Sequence, residues 1–400
     1  MRDLGQKWER QLDRWTAPYL EAWRHKTRRR WAPVYLRGLL LPGERKSIEP
    51  IVERVAPGEK EQIHHFVATS KWDTEPIEVV HMDRCNELVG ADDAHLIVDD
   101  TALPKKGEHS VGAAHQYCGA LGKQANCQCL VSLTLAREEL PVPIALRLYL
   151  PEAWASDLKR RAKTRVPVEM VFRPKWKIAL DEIERLQAHG VQFGDVLADA
   201  GYGSCGEFRA GLSHMKLLWT VGILSTQTAY PASVRVKRPK PKRPAGRPPM
   251  RGVPTEKSRP VKQLIEELGP KAIRTFTWRN GTKGPLSGRF ALVRVRPADG
   301  PRMPVTNYHL PGDEAWLIAE FRSEETKYYL SSLPDSTPPL KVVSSVKARW
   351  SCEQMHQQMK EELGLDHFEG RSWHGLHHHA VLAMIAFTFL QYLRVREKHP

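Results

Sequence analysis

The chain has 400 residues, of which 41% are hydrophobic and 27% are charged, a composition typical of folded globular proteins. Lysine and arginine outnumber aspartate and glutamate by 61 to 46, which gives a formal net charge of +15. These values exclude a disordered chain, collagen and a small disulfide-linked scaffold, and the positive charge favours a polyanionic partner, nucleic acid first and an anionic membrane second.

The first part of the chain, residues 1–88, is predicted to be helical. Trp8, Leu12 and Trp15 recur at three- and four-residue spacing. A basic cluster follows at residues 24–30. This pattern fits a domain that docks onto DNA, and it also fits a helical bundle with a solvated basic face. The N-terminal residues carry charges throughout, so no signal peptide is expected.

The pattern changes at Ala94, where a short apolar run predicts a strand that ends in Asp99 and Asp100. A later apolar run predicts a strand that ends at Asp199. Between and after them, the sequence predicts strands at 127–136, 141–150 and 217–223 and helices at 175–188 and 206–212. This order indicates an α/β fold with a mixed sheet. The two acidic strand ends lie on neighbouring central strands if the early strands pair antiparallel and the later ones parallel.

A basic, proline-rich segment covers residues 235–262. It holds eleven Lys or Arg residues, one acid and seven prolines, so its charge is +10. Proline at this density predicts an extended loop, which either lies along DNA phosphates or serves as a solvated linker. After this segment, the sequence predicts four strands, at 275–278, 289–295, 315–321 and 327–330. A helical stretch at 338–363 and a final apolar helix at 375–394 follow.

The longest nearly apolar run, Ala380 to Leu393, is too short to span a bilayer and predicts a buried helix. No membrane insertion is therefore expected. The six cysteines form no CxxC pair, which favours free thiols in a cytoplasmic protein over disulfides or zinc. A histidine cluster at residues 374–379 precedes the apolar run; a metal site is conceivable there, and a solvated helix start is favoured.

Three acids stand out, and each has an ordinary alternative. Asp99 and Asp199 end predicted strands, where a lone aspartate usually caps a turn. Carboxylates at adjacent strand ends repel each other, and a divalent cation neutralises that repulsion. Oxygen ligands select Mg²⁺ or Mn²⁺. Two such ions can catalyse phosphoryl transfer. Arg349, Glu353 and Lys360 would share one face of a helix, either as a metal ligand between phosphate-binding cations or as a surface ion-pair stripe.

Three blocks resemble bacterial DDE transposases, most closely the insertion-sequence family seven-oh-one within the larger group four. The first block is IVDDTALPKKG at residues 97–107, and the second is LADAGYG at residues 197–203. The third is RWSCE at residues 349–353, with Lys360 seven residues after the glutamate. This chain departs from the family at Val346, where the signature has tyrosine, and at Ala102 and Leu103, where it has Gly-Phe.

The resemblance implies a ribonuclease H-like mixed sheet that is interrupted by a β-rich insertion, with an N-terminal helical domain. The expected domains are a DNA-binding domain at 1–88, the first part of the core at 89–223, the insertion at 224–335, and the C-terminal helices of the core at 336–400. The implied chemistry is cleavage at the terminal inverted repeats of an insertion sequence. The freed 3′-hydroxyl ends then attack target DNA.

The same resemblance implies site residues and partners. Mg²⁺, or Mn²⁺ as a substitute, would be held by Asp99, Asp199 and Glu353, with Asp100 as the alternative to Asp99. The DNA-binding candidates are Lys105, Trp278, Arg349, Lys360, Arg243 and Arg247. Trp278 either stacks on a flipped base or is a buried strand residue. The expected partners are double-stranded DNA (terminal repeats and target) and a second copy of the chain in the DNA complex, at the bacterial nucleoid. Two alternatives remain: a non-catalytic DNA-binding protein derived from a transposase, and a nuclease that does not join ends.

Overall fold

The computed structural model describes residues 2–237, 252–281, 284–302 and 309–398. The chain divides into two units, Met1–Gly194 with Trp350–Pro400, and Asp195–Arg349. Each unit contains both helices and strands, so the predicted α/β class is confirmed. The unit boundaries differ from the four parts expected from the sequence, since the N-terminal helices belong to the same unit as the strands that follow them.

The first unit is built on an antiparallel sheet. Strand β3 pairs with each of the other three strands. Residues 127–136 of β3 are buried without alternation, which shows that both faces of the sheet are covered. Strand β2 was not predicted from the sequence. The four strands are β1 (His95–Pro104), β2 (Ala114–Cys118), β3 (Lys123–Arg137) and β4 (Leu140–Leu148).

Strand β1 corrects one prediction about the acidic residues. The sequence predicted that the strand ends at Asp99 and Asp100, but β1 continues to Pro104. All ten of its residues pair with β3, from His95 opposite Ala136 to Pro104 opposite Cys127. The long β3 strand supplies backbone partners well beyond the acids, so both aspartates lie in the middle of a strand.

Helices cover this sheet, and the last of them is the core helix of the unit. Helix α14 is buried along most of its length, and Trp15 of the N-terminal helix packs against its Phe389 and Tyr392, with ring centres 6.1 and 5.0 Å apart. A π-helical turn (His65–Thr69) follows α4. The helices are α1 (Arg2–Ala22), α2 (Lys26–Leu40), α3 (Ile48–Val55), α4 (Lys60–His64), α5 (Glu75–Val89), α6 (Glu152–Ser156), α7 (Leu158–Thr164), α8 (Lys175–His189), α13 (Trp350–Glu361) and α14 (Trp373–Lys398).

Helix α14 is longer than the apolar run predicted. By length and composition alone, Trp373–Glu397 could cross a membrane. However, 78% of its most apolar window is buried inside the protein, as in the core helix of a globular unit. The prediction of a buried helix is therefore confirmed.

The histidine cluster lies inside the first turns of α14, and the prediction of a solvated helix start is wrong. His378 is fully buried and stacks on Trp72, with ring centres 3.8 Å apart. His379 is also fully buried; its Nδ1 lies 2.9 Å from the hydroxyl of Tyr35, and its Nε2 lies 2.9 Å from the carbonyl oxygen of Gly364. These rings connect α14 to the N-terminal helices, which explains why both belong to one unit.

The second unit begins with a parallel pair and continues antiparallel. Strands β5 and β6 are parallel, as expected, and two short helices connect them. Its main strand order is β10, β7, β12, β13, β14, β6, β5, with β11 beside β12. The strands are β5 (Asp195–Ala198), β6 (Leu218–Ile223), β7 (Thr228–Pro231), β8 (Val236–Lys237), β9 (Val253–Pro254), β10 (Arg259–Pro260), β11 (Arg274–Gly281), β12 (Gly284–Pro297), β13 (Ala315–Phe321) and β14 (Thr326–Ser331). The helices are α9 (Ala200–Gly203), α10 (Gly206–His214), α11 (Val261–Glu266) and α12 (Pro339–Ala348).

The two ends of the basic, proline-rich segment are ordered parts of the second unit. Strands β8 and β9 pair with each other, and β10 pairs with β7. Val261, directly after β10, is fully buried. Arg243 and Arg247 lie outside the described residues. An extended loop can therefore only be expected for residues 238–251, between β8 and β9.

A buried ion-pair network joins α5, β4 and α8. The Arg147 guanidinium donates to Glu182 through Nε (2.7 Å) and to Glu78 through Nη1 (3.0 Å), and Arg185 lies within 3.2 Å of both carboxylates. Burial acts to raise the pKa of Glu78, but Arg147 and Arg185 outweigh it and hold that pKa at about 2. The charges are thus mutually compensated, and removal of one partner leaves the others buried and unbalanced.

We expect Arg147→Met to lower the free energy of unfolding by about 3–5 kcal/mol, because Glu78 and Glu182 would remain buried without their main cation. The midpoint of urea unfolding, followed by circular dichroism, measures this loss. The matched control is Arg137→Met, whose ion pair with Asp93 is exposed on both sides, and it should change the stability by less than about 1 kcal/mol. Equal effects of the two substitutions would contradict a structural role for the network.

Candidate catalytic site

Asp99 and Asp100 are neighbours on β1 and therefore point to opposite faces of the sheet. Asp100 faces α8, where the Lys175 Nζ lies 2.5 Å from its Oδ2. Burial acts to lower the pKa of Lys175, but the Asp100 carboxylate and the Cys129 thiol raise it above its usual range. The Lys175 charge therefore compensates Asp100, which favours Asp99 over Asp100 as the carboxylate for a cation.

Asp99 faces α13 on the other side of the sheet. Its carboxylate, the Cys352 thiol and a ring nitrogen of His356 all lie within 4.8 Å of one another. Asp99 is opposite Ser132 in the sheet register, and the Ser132 Oγ lies 2.8 Å from the His356 Nε2. The same helix contacts Thr134, whose Oγ1 is 3.2 Å from the Cys352 sulfur. Helix α13 thus packs directly over the position of Asp99.

Glu353 belongs to the first turn of this helix. It follows Cys352, so its side chain is turned by about 100° from the buried thiol, and it is exposed. Glu353 therefore directly follows the buried residue of α13 that faces Asp99. Lys360, seven residues later, lies on the same side of the helix as Glu353.

The predicted helical stretch over 338–363 is helical in the structure and consists of two helices. Helix α12 ends at Ala348 and α13 begins at Trp350, with Arg349 between them. Arg349 belongs to the second unit, whereas Glu353 and Lys360 belong to the first.

The two lysine candidates of the first unit, Lys105 and Lys360, are partly buried. Burial lowers the pKa of Lys360, and the carboxylates of Asp366 and Asp99 partly oppose that shift. Burial also lowers the pKa of Lys105, whose Nζ lies 2.7 Å from the carbonyl oxygen of Phe368. Lys105 thus holds the loop between α13 and α14, which gives it a structural role beside any contact with phosphate.

Asp199 follows β5 in the second unit, as predicted, and caps the one-turn helix α9. Its Oδ1 accepts hydrogen bonds from the backbone N–H groups of Gly201 (2.9 Å) and Tyr202 (3.2 Å). Close packing requires the glycine at position 203, since a Cβ there would lie 2.1 Å from the carbonyl oxygen of Gly222. The turn therefore fixes the carboxylate at the end of the strand.

Trp278 is half-buried on β11. Its ring meets Phe290 edge-on, with centres 6.1 Å apart, and the Lys347 Nζ lies 4.8 Å from the ring centre. These contacts favour the buried-strand interpretation, and stacking on a flipped base stays a prediction.

Sequence reasoning missed three residues near the acids. Lys175 carries no local signal, because its partner Asp100 is 75 positions away. Cys352 lies within the RWSCE block without a signal that marks it as a ligand, and His356 follows that block. The four-residue spacing of Cys352 and His356 places both on one face of a helix, and this spacing could have indicated a pair of metal ligands.

Two comparisons with known proteins show what the chain is similar to. A family model described as DDE superfamily endonuclease matches residues 18–285, a range that includes Asp99 and Asp199 and stops before Glu353. The chain is also similar to a protein of Microchaete diplosiphon named as a probable transposase for insertion sequence element IS701. The two are 29% identical over 183 residues, which is 46% of this chain and 45% of that protein. The matched segment thus spans less than half of the curated relative.

Proposed function

The chain belongs to the DDE superfamily of endonucleases, and from that premise we propose that it is a transposase. It cuts DNA at the terminal inverted repeats of an insertion sequence and joins the 3′-hydroxyl ends to target DNA. The observation that carries the proposal is the arrangement around β1. Asp99 faces the helix that bears Glu353, whereas Asp100 on the opposite face is compensated by Lys175.

We propose Asp99, Asp199 and Glu353 as the ligands of Mg²⁺, with Mn²⁺ as a substitute. All three offer carboxylate oxygens, which are the donors that these ions prefer. Asp199 accepts both of its cap hydrogen bonds through Oδ1, and Oδ2 is the atom that we assign to the cation. When bound, such ions would activate the attacking water or 3′-hydroxyl and stabilise the leaving oxygen.

The chain's own cations position the DNA in this proposal. Lys360 lies on the Glu353 side of α13 near Asp99, and Arg349 begins the same signature, so we assign both to phosphates beside the scissile bond. A phosphate next to Lys360 would favour its charged form and offset the effect of burial on its pKa. Lys105, which supports the loop before α14, is assigned the same role at the other end of the first block.

We assign recognition of the terminal repeats to the N-terminal helices. Trp15 and Trp23 are buried in the core, so these aromatic rings are structural. The basic cluster just before and in the first turns of α2 has exposed cations suited to phosphate contacts, namely Arg24, Lys26, Arg29 and Arg30. Because two element ends must be joined, we expect the active complex to contain two copies of the chain, acting at the bacterial nucleoid in the cytoplasm.

A strand-transfer assay tests the proposal against its two alternatives. The substrate is a labelled duplex of the element terminus with an exposed 3′-hydroxyl, mixed with a supercoiled plasmid and Mg²⁺. We expect covalent joining of the label to the plasmid. Cutting of an uncleaved terminus without joining would identify a nuclease instead, and binding without either reaction would identify a non-catalytic DNA-binding protein.

We expect the basic segment between β8 and β9 to contribute to DNA binding mainly through charge. Residues 238–251 contain six lysine or arginine residues and no acid. The slope of the logarithm of the DNA association constant against the logarithm of the salt concentration is negative. Replacing all six by glutamine should make it shallower by up to about 5, since each phosphate contact contributes about 0.9. Binding to the terminus at several salt concentrations measures this slope.

The matched control for that variant keeps the composition of residues 238–251 and shuffles their order. It should bind with the original salt dependence, because the charge is unchanged. An unaltered slope in the glutamine variant would identify the segment as a linker. A shallower slope in the shuffled control would indicate that the sequence around Arg243 and Arg247, rather than its charge, makes the contacts.

A further inference from the structure

A thiol and an imidazole face the Asp99 carboxylate within the first unit. Cys352 and His356 are four residues apart on α13 and both are buried. Their ligand atoms and a carboxylate oxygen of Asp99 lie within 4.8 Å of one another. We propose that these three side chains form a second cation site, which takes a thiophilic divalent ion of the zinc class and shares Asp99 with the catalytic site.

The distances fit tetrahedral coordination. Ligands at about 2.3 Å for sulfur and about 2.1 Å for nitrogen, at a tetrahedral angle, are separated by about 3.6 Å. The Cys352 sulfur lies 3.6 Å from the His356 Nε2 and 3.9 Å from its Nδ1. Both nitrogens are therefore close to the required separation without any change in the helix. The Asp99 carboxylate completes three protein ligands, and water supplies the fourth position, as in open zinc sites.

A hydrogen bond to the imidazole prepares His356 for this role. The Ser132 Oγ lies 2.8 Å from its Nε2. When Nε2 carries the proton and donates it to Ser132, the lone pair of Nδ1 is left available to a cation. Metal-binding histidines are commonly held in this way by a partner on the other ring nitrogen. Ser132 is fully buried on β3, so the sheet fixes the ring orientation.

The chemistry of the ligands separates the two cation sites. A sulfur, a nitrogen and an oxygen donor select zinc-class ions, whereas oxygen ligands alone suit Mg²⁺ and Mn²⁺. Binding is balanced by the loss of the Cys352 proton to solvent, so affinity rises with pH. Because Asp99 belongs to both sets, occupation by a zinc-class ion removes a ligand from the catalytic set. This consequence rests on the proposed function, whereas the site itself does not.

Cobalt titration of the full chain tests the site directly. Co²⁺ replaces Zn²⁺ and gives an absorption band when it binds a thiolate. We expect one equivalent of Co²⁺ to give this band in the wild-type protein. The band should be lost in Cys352→Ser, and His356→Gln should weaken Co²⁺ binding by about tenfold or more. The matched control Cys205→Ser, which changes a partly exposed cysteine elsewhere, should keep the band.

Two results would overturn the proposal. One is the absence of a thiolate–cobalt band in the wild-type protein at a severalfold excess of Co²⁺. The other is a band that persists in Cys352→Ser. Because Cys352 is buried, the circular dichroism of each variant is recorded first. His356→Gln, which acts through a different ligand, supplies an independent result if the cysteine variant does not fold.

Inhibition by Zn²⁺ tests the shared use of Asp99. We expect micromolar-range Zn²⁺ to slow Mg²⁺-dependent DNA cleavage by the wild-type protein, and His356→Gln to be less sensitive relative to its own rate without Zn²⁺. A cobalt band without any DNA cleavage would leave the site intact and reject the proposed function. Cleavage that is unaffected by Zn²⁺, in a protein that shows the band, would reject the sharing of Asp99.

Discussion

Replacing Asp99 by asparagine is expected to abolish Mg²⁺-dependent DNA cleavage, while the same change at Asp100 leaves most of it. The two residues are adjacent on β1, yet Asp99 faces α13 and Asp100 pairs with Lys175 on the other face. Loss of a carboxylate ligand to a catalytic metal removes several kcal/mol of transition-state stabilisation, which corresponds to a fall in rate of about a thousandfold or more. Cleavage of a labelled terminal duplex measures both variants.

The paired variants control for each other, because they differ by one position and by the same chemical change. DNA binding by Asp99→Asn should stay within about threefold of the wild-type value, since we assign the phosphate contacts to other residues. Asp199→Asn should behave like Asp99→Asn, because asparagine also offers an Oδ1 to cap Gly201 and Tyr202. A greater loss of cleavage in Asp100→Asn would reverse our choice between the two aspartates.

Acidification is expected to unfold the first unit between about pH 6.5 and pH 4. His81 and His379 are fully buried, and burial lowers the pKa of each from 6.5 to about 4. In the unfolded chain these residues take up protons near pH 6.5, whereas the folded state resists protonation down to pH 4. The contribution of each histidine to the free energy of unfolding is therefore fully present above pH 6.5. It decreases by about 2–3 kcal/mol per histidine as the pH falls to 4.

Urea unfolding at several pH values, followed by near-ultraviolet circular dichroism, measures this loss. In His379→Gln we expect lower stability at pH 7.5, because the ring contacts with Tyr35 and Gly364 are removed, and a smaller decrease on acidification. His115→Gln, at an exposed position of β2, is the control and should follow the wild-type curve. A stability that does not change between pH 7 and pH 4.5 would contradict the assignment of buried neutral histidines.

The element order could be predicted from the sequence because each element has its own periodicity. The run before Asp199 and the apolar stretch of α14 show this. The ends of elements were less predictable, since β1 continues past Asp99 only because β3 supplies backbone partners over ten positions. The interruption at Arg349 between α12 and α13 likewise has no local signal in the sequence.

Contacts across long sequence distances explain the rest of what the sequence did not show. The pairing of Lys175 with Asp100 depends on how α8 packs on the sheet. The histidines of α14 look like a surface cluster in the sequence and become core residues because the N-terminal helices supply hydrogen-bond partners, such as Tyr35 for His379. By contrast, the DDE motifs could be recognised directly, since their residue types are set by chemistry rather than by packing.

The most direct test of the account is cleavage of a labelled duplex that carries the element's own terminus, in Mg²⁺, in Mn²⁺ and in EDTA. Wild-type protein is compared with Glu353→Gln and with Glu361→Gln, a change of the same kind at an exposed position of the same helix. We predict nicking at the repeat boundary in both metals, none in EDTA, none with Glu353→Gln, and near-normal nicking with Glu361→Gln. Binding of the terminus without cleavage in either metal, or cleavage that survives Glu353→Gln, would contradict the account.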